Sequence, residues 1–180
     1  MLKNKISQLF IWGFNGTRVT KSLKKALASY PPAGLILFRR NIKSPQQLRH
    51  LTHDLQSLSK TPLLIGIDQE GGRVSRLPEP FIQYPPAATW GELFKRMKPK
   101  EGQEFLRRIG AQMGRELRSV GINLDFAPVL DVHSNPKNPI IGDRAFSSNP
   151  KIVSTLACAM IEEWNRMGLL CCGKHFPGHG

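Results

Sequence analysis

The 180-residue sequence is poor in acidic residues, in cysteine and in long apolar runs. Asp and Glu number 13 against 26 Lys and Arg, giving a formal charge of +13. Such an excess attracts nucleic acid, anionic membrane or an acidic polymer when the cations gather on one face. Here they scatter over helical stretches (Lys21, Lys24, Lys25; Arg107, Arg108, Arg115, Arg118) and one short run from Lys95 to Lys100, with no RNA-binding or zinc-finger motif beside them. A solvated basic surface is therefore expected, and no nucleic-acid partner. The cysteines, Cys158, Cys171 and Cys172, are odd in number and form no CxxC pair, so neither a disulfide framework nor a zinc site is supported. Buried, reduced thiols are expected instead. No run of about 18 apolar residues exists to span a membrane. The run from Leu9 to Phe14 is too short for a signal-peptide core and lacks a small-residue cleavage site, so the chain reads as cytoplasmic with no membrane partner. HExxH, GxGxxG, P-loop and GxSxG motifs are all missing, which removes the simplest support for zinc proteases, dinucleotide enzymes, NTPases and α/β-hydrolases. No metal or cofactor is expected.

What is present is a globular composition, 40% apolar and 22% charged, at a length suited to one domain. Short apolar runs alternate with longer segments of helical period. The runs are Leu9 to Phe14, Gly34 to Phe38, Leu63 to Asp68, Ile122 to Pro128 and Leu169 to Lys174, each bounded by turn residues as strands buried on both faces are. Between them, Ser44, Pro45 and Gln47 read as an N-cap, a first-turn proline and a capping-box partner ahead of Leu48, Leu51, Leu55 and Leu58. Leu106, Ile109, Met113, Leu117 and Val120 form a second stripe stopped by Gly121. Asn149 and Pro150 open a third, carrying Val153, Leu156, Met160, Trp164 and Met167 up to Gly168, and a weaker helix covers about residues 21–29. Repeated strand and helix imply an α/β fold with a parallel sheet, doubly wound or a barrel. About five strands are visible, whereas a (β/α)8 barrel needs eight and about 250 residues. The connections from Gln69 to Pro86 and from Leu130 to Pro150 are too long for structural turns and are candidate site loops.

The conspicuous polar residues all follow strand C-terminal ends, the edge where parallel α/β folds build their sites. Asp68 leads into Gln69, Glu70, Gly71, Gly72, Arg73, Val74, Ser75 and Arg76. It can accept hydroxyl hydrogen bonds at a rim, or cap the next segment with the two arginines as ion-pair partners. Arg144, embedded in IIGDRAF, can pair with Asp143 or another carboxylate, or present its planar fork to a ligand. Asp125 and Asp131 flank the fourth strand, and a buried pairing of Asp125 with an arginine is one reading. Lys174 and His175 follow the last strand, where alternation would aim them to opposite sides. Such a pair suits sugar hydroxyls, phosphate, or Schiff-base chemistry at the lysine. His179 reads as a loop hydrogen-bonder.

Taken together, IDQEGGRVSRL, NLDFAPVLDV, IIGDRAF and KHFPGHG stand in the order and at spacings that resemble family 3 glycoside hydrolases, and GLILFRRNI resembles that family's second strand. KHFPGHG is closer to the β-N-acetylhexosaminidases of peptidoglycan recycling than to the two-domain β-glucosidases. The resemblance implies a TIM (β/α)8 barrel of which about the first five β/α units are present, with residues 1–180 the N-terminal part of a single catalytic domain. It further implies retaining hydrolysis of terminal, non-reducing β-linked N-acetylglucosamine, a peptidoglycan-derived amino-sugar substrate, and no cofactor. Asp68, Arg76, Arg144, Lys174 and His175 would bind that substrate. The family's Asp nucleophile and His acid/base would lie beyond Gly180, leaving no catalytic residue within the chain and none in His179. The 180 residues alone would then be inactive, and five strands without closure would leave two open edges and favour aggregation or a molten state. A sugar-binding remnant, or one half of a split enzyme completed by a complementing C-terminal half, are the alternatives, with a Schiff-base lyase and a basic nucleic-acid binder behind them. Two departures from the family pattern, Ser147 in FSSNP and a long stretch from Lys95 to Gly102, touch no binding position.

Overall fold

A computed structural model describes residues 2–179; Gly180, the end of the KHFPGHG motif, lies outside them. The elements run α1 (Leu2–Ser7), β1 (Ile11–Gly13), α2 (Lys21–Ser29), β2 (Gly34–Leu37), α3 (Pro45–Ser57), β3 (Leu64–Ile67), α4 (Ala87–Lys95), α5 (Pro99–Ser119), β4 (Leu124–Asp125), α6 (Pro150–Arg166) and β5 (Leu170–Cys171). Short 3-10 turns occupy Arg39–Asn41 and Gly142–Arg144. The five strands form one sheet in the order β1-β2-β3-β4-β5, every neighbouring pair parallel. This open α/β sheet is an incomplete barrel wall. Among the described residues no strand lies beyond β1 or β5, and Leu170 on the β5 edge is half exposed.

Strand alternation sorts the sheet into two faces. Leu35, Leu37, Ile65 and Ile67 point to the helix layer and are completely buried with Leu48, Leu51, Leu55, Leu106, Leu117 and Trp164. The other face is built for closeness: a Cβ on Gly34 would stand 2.1 Å from the Leu64 carbonyl oxygen, and one on Gly66 would stand 2.7 Å from the Phe126 ring. Helix α5 lies along α6 where Gly110 and Gly114 let Met160, Trp164 and Met167 approach, and the Trp164 indole N–H donates to the Gly110 carbonyl at 2.9 Å.

Most helix boundaries follow their sequence signals. Ser44 Oγ accepts the Gln47 N–H, and Asn149 Oδ1 accepts the Lys151 N–H. The capping-box expectation for Gln47 needs correction. Its Oε1 takes the Lys43 N–H at 2.8 Å rather than that of Ser44, and its Nε2 donates to the Thr17 and Asn41 carbonyls, which ties the loop after β1 to the start of α3. Helices α1 and α4 have no counterpart in the pattern read from the sequence. The cysteines also depart from expectation: Cys158 and Cys172 are exposed and Cys171 is half-buried. Helical period puts Cys158 on the solvent side of α6, opposite Leu156, Met160 and Trp164, while Cys171 and Cys172 sit at the sheet edge. No described helix is long and apolar enough to cross a membrane.

Candidate functional site

Three strand ends deliver charged groups to one place. Lys174, which bridges to Val129 past the end of β5, directs its ammonium to Asp68 Oδ1 at 2.8 Å and Glu70 Oε1 at 2.5 Å, both just beyond β3. Glu70 is nearly buried, and Arg144 holds it with a two-pronged contact, Nε to Oε2 at 2.8 Å and Nη2 to Oε1 at 2.9 Å. This hydrogen-bonded carboxylate raises the Arg144 pKa further above its ordinary value, against the opposing effect of burial. Arg144 Nη2 also lies 3.4 Å from His175 Nε2, and His175 Nδ1 lies 2.6 Å from Asp131 Oδ2. Asp68 keeps the most open valence: its Oδ2 has Arg76 Nη2 at 3.7 Å and faces a partly exposed rim.

All five residues singled out from the sequence, Asp68, Arg76, Arg144, Lys174 and His175, are thus joined in one network at the C-terminal edge of the sheet. Arg144 takes one of its expected alternatives, a carboxylate other than Asp143: it pairs with Glu70, while Asp143 is held by Arg73 at 3.1 Å. Only Arg76 of the two arginines reaches Asp68, because Arg73 donates to the Ile140 and Ile141 carbonyls instead and so pins the turn that carries Arg144. Lys174 and His175 do not diverge to opposite sides. They lie past the regular strand, where alternation no longer binds, and Arg144 contacts both His175 and the Glu70 carboxylate that Lys174 also holds. His179 is the loop hydrogen-bonder anticipated, its backbone N–H donating to Asp131 Oδ1 at 2.7 Å. Lys174 Nζ is engaged by two carboxylates, a geometry that lends the Schiff-base reading no support.

Glu70 and Asp131 are the central groups to which residue-by-residue reading gave no role of their own. The signal for Glu70 was its place two residues after Asp68 at the mouth of β3. The backbone beneath it is shaped by Gln69, whose side chain accepts the Arg76 and Leu77 N–H groups and donates to Ser75 Oγ. Gly71 and Gly72 take positive φ values of 93° and 54°, and a Cβ on either would run into Pro85 or Pro86. Ser147, a departure from the family pattern, is buried and helps hold the next loop, its carbonyl accepting the His133 N–H and its hydroxyl the Asn149 N–H.

Asp125 has no arginine. It is wholly buried, its Oδ1 accepts the Gln69 N–H at 2.9 Å, and its Oδ2 has no hydrogen-bond partner. Burial pushes its carboxyl well above the usual carboxylate value of 3.8, with the Gln69 N–H and the Lys174 charge acting in the opposite direction. A raised folded-state pKa contributes stability that is complete below the unfolded value and is lost as pH rises toward the folded one. Asp125→Asn keeps the acceptor for Gln69 and buries no charge. Relative to the parent it is expected to gain stability as pH climbs above about 4, by up to ~1.4 kcal/mol per pH unit. Denaturant titrations from acid to neutral pH check this; a difference that does not vary with pH would exonerate Asp125.

Comparison with known proteins matches this arrangement to one family. The glycosyl hydrolase family 3 N terminal domain matches residues 1–180. A β-hexosaminidase of Idiomarina loihiensis is 45% identical over 165 residues, covering 92% of this chain and 48% of that protein. Among solved structures, native NagZ from Neisseria gonorrhoeae superposes with a TM-score of 0.89 at 36% identity, over 94% of this chain and 49% of that one. A family 3 β-N-acetylglucosaminidase from Paenibacillus sp. str. FPU-7 gives a TM-score of 0.92 at 36% identity, over 100% of this chain and 34% of that one. The chain spans about half the length of the curated relatives it matches. On these matches, and on a parallel sheet that gathers the expected residues at one edge, the chain belongs to glycosyl hydrolase family 3.

Proposed function

We propose that residues 1–180 are the N-terminal part of a single catalytic barrel domain and form the sugar-holding wall of a β-N-acetylhexosaminidase site. The substrate is terminal, non-reducing β-linked N-acetylglucosamine on peptidoglycan-derived fragments, and the reaction is cytoplasmic. Relatives named β-hexosaminidase and a NagZ structure in complex with N-trifluoroacetyl-D-glucosamine support the sugar class.

The observation that carries the reading is Asp68 between two cations. Lys174 occupies Oδ1, and Oδ2 is left with a long contact to Arg76, so lone pairs remain for hydroxyl donors at the rim. Charged acceptors and donors fixed on rigid strand ends hold a sugar ring in one orientation, and orientation of this kind supplies a large share of an enzyme's rate. Glu70 sits lower and is saturated by Arg144 and Lys174, so it sets the two cations rather than meeting the ligand. The covalent step of a retaining hydrolase needs a nucleophile and an acid/base about 5 Å apart across the bond. On this reading those groups are contributed by residues outside the 180, in the same polypeptide or a complementing C-terminal half.

Asp68→Ala in the full-length protein is expected to lower kcat/KM for a chromogenic N-acetyl-β-glucosaminide by about 10²- to 10³-fold, the loss of one to two hydrogen bonds to a charged acceptor. An unchanged value would sink the assignment. Turnover by residues 1–180 alone that vanishes in Asp68→Ala would show instead that the chemistry resides in this chain.

A further inference from the structure

We infer that Asp131 is a positioning residue that fixes His175 in one tautomer, with the proton on Nδ1 and a bare Nε2 facing the site as a hydrogen-bond acceptor. The inference rests on the sugar-site reading for its functional consequence, but not for its geometry.

The Asp131 side chain is completely shielded from solvent and is surrounded by donors. Oδ1 accepts the His179 N–H at 2.7 Å, and Oδ2 accepts the His175 N–H at 3.3 Å. A carboxylate that already accepts two backbone N–H groups takes the role of acceptor toward the ring as well, so the 2.6 Å contact is Nδ1–H to Oδ2. The other ring nitrogen is judged independently. Nε2 lies 3.4 Å from Arg144 Nη2, a group that can only donate. A proton on Nε2 would set N–H against N–H beside a guanidinium cation, so this contact disfavours the opposite tautomer. The two sides of the ring therefore favour the same proton placement.

The arrangement has a purpose beyond packing. His175 and Lys174 line a cleft of about 470 Å³ together with Leu130 and Asp131. Nε2 is then an acceptor next to the Arg144 guanidinium, which does not itself line that cleft, and can accept a hydroxyl hydrogen bond that a cation cannot. The same buried carboxylate also holds the loop that follows at His179, so loop and ring are set by one group. Asp131→Asn tests the assignment, because the amide can keep the His179 N–H on its oxygen and turn its NH2 toward Nδ1, which moves the ring proton to Nε2 and gives up the long 3.3 Å contact from the His175 N–H.

Long-range proton–nitrogen correlation spectra of ¹⁵N-histidine-labelled full-length protein are expected to show His175 protonated at Nδ1 and bare at Nε2, and the reverse in Asp131→Asn. Titration with N-acetylglucosamine should show affinity falling about 10-fold in Asp131→Asn, and less than about 2-fold when the same change is made on a His175→Ala background. A parent protein with the proton on Nε2 overturns the inference, as does an equal loss of affinity in both backgrounds, which would make Asp131 a loop tether only. Parent spectra that show the Nδ1–H form in a protein that binds no N-acetylglucosamine would uphold the tautomer and remove the sugar reading.

Discussion

Glu70→Ala is expected to cost about 3–5 kcal/mol of folding stability and to abolish measurable glycosidase activity in the full-length protein. The reason is the company Glu70 keeps. Its carboxylate is 4% exposed and is the shared counter-ion of Arg144 and Lys174, themselves only 13% and 14% exposed. Removing it leaves two largely desolvated cations, with Asp68 beside Lys174 and the more distant charge of Asp131 to offset them. Glu70→Gln isolates the charge from the volume: it retains an acceptor for Arg144 and should fall between Ala and the parent in stability, while still displacing Lys174. Denaturant unfolding gives the first quantity and hydrolysis of a chromogenic N-acetyl-β-glucosaminide the second. A Glu70→Ala protein within about 1 kcal/mol of the parent would mean the pair is solvated like a surface ion pair and that its place at the centre of the site is incidental.

Gly91→Ala is the second large effect, and it acts at a distance from any ligand. Gly91 lies on the buried side of α4, and a Cβ there would stand 1.7 Å from the Phe146 carbonyl oxygen and 2.8 Å from its carbonyl carbon. No rotamer relieves a clash with backbone, so either α4 withdraws or the segment after the Gly142–Arg144 turn moves. That segment follows Arg144 by two residues. A displacement near 1 Å at a positioning group can lower a rate by about 10²-fold, so kcat/KM is expected to drop by that order, with about 1–3 kcal/mol lost to overpacking. The loss should appear in inhibitor affinity as well as in turnover, since it is Arg144, the arginine proposed to hold the sugar, that shifts. Parental activity with lowered stability would show that α4 yields and that the Arg144 turn is held more firmly, by Arg73 through the Ile140 and Ile141 carbonyls.

The site was legible in the sequence wherever chemistry and position coincided. Asp68, Arg144 and the Lys174–His175 pair each follow an apolar run, and a parallel α/β sheet allows such residues only one edge on which to meet. Their partners were not legible. Nothing local distinguishes Glu70 from Asp143 as the counter-ion of Arg144, since the choice depends on a contact spanning 74 residues and on Arg73 occupying Asp143 first. Asp131 likewise reads as one more acidic residue after a strand until the stretch from Lys174 to His179 folds back and places three nitrogens of His175 and His179 around it. The cysteines were misplaced for a similar reason: composition favours burial, but helix phase and sheet edge decide it.

The order of the five strands and of helices α2, α3, α5 and α6, the N-caps of α3 and α6 and the apolar stripe of α5 were fixed by the chain itself, because each depends on neighbours three or four residues away or on strict alternation. Family membership was equally a property of the sequence, carried by four motifs in order. Tertiary structure alone decided which opposite charges pair and that Gly91 must have no side chain. These outcomes turn on distances between segments that the sequence separates by tens of residues, where a shift of one or two ångströms reverses the answer and local propensity has no purchase.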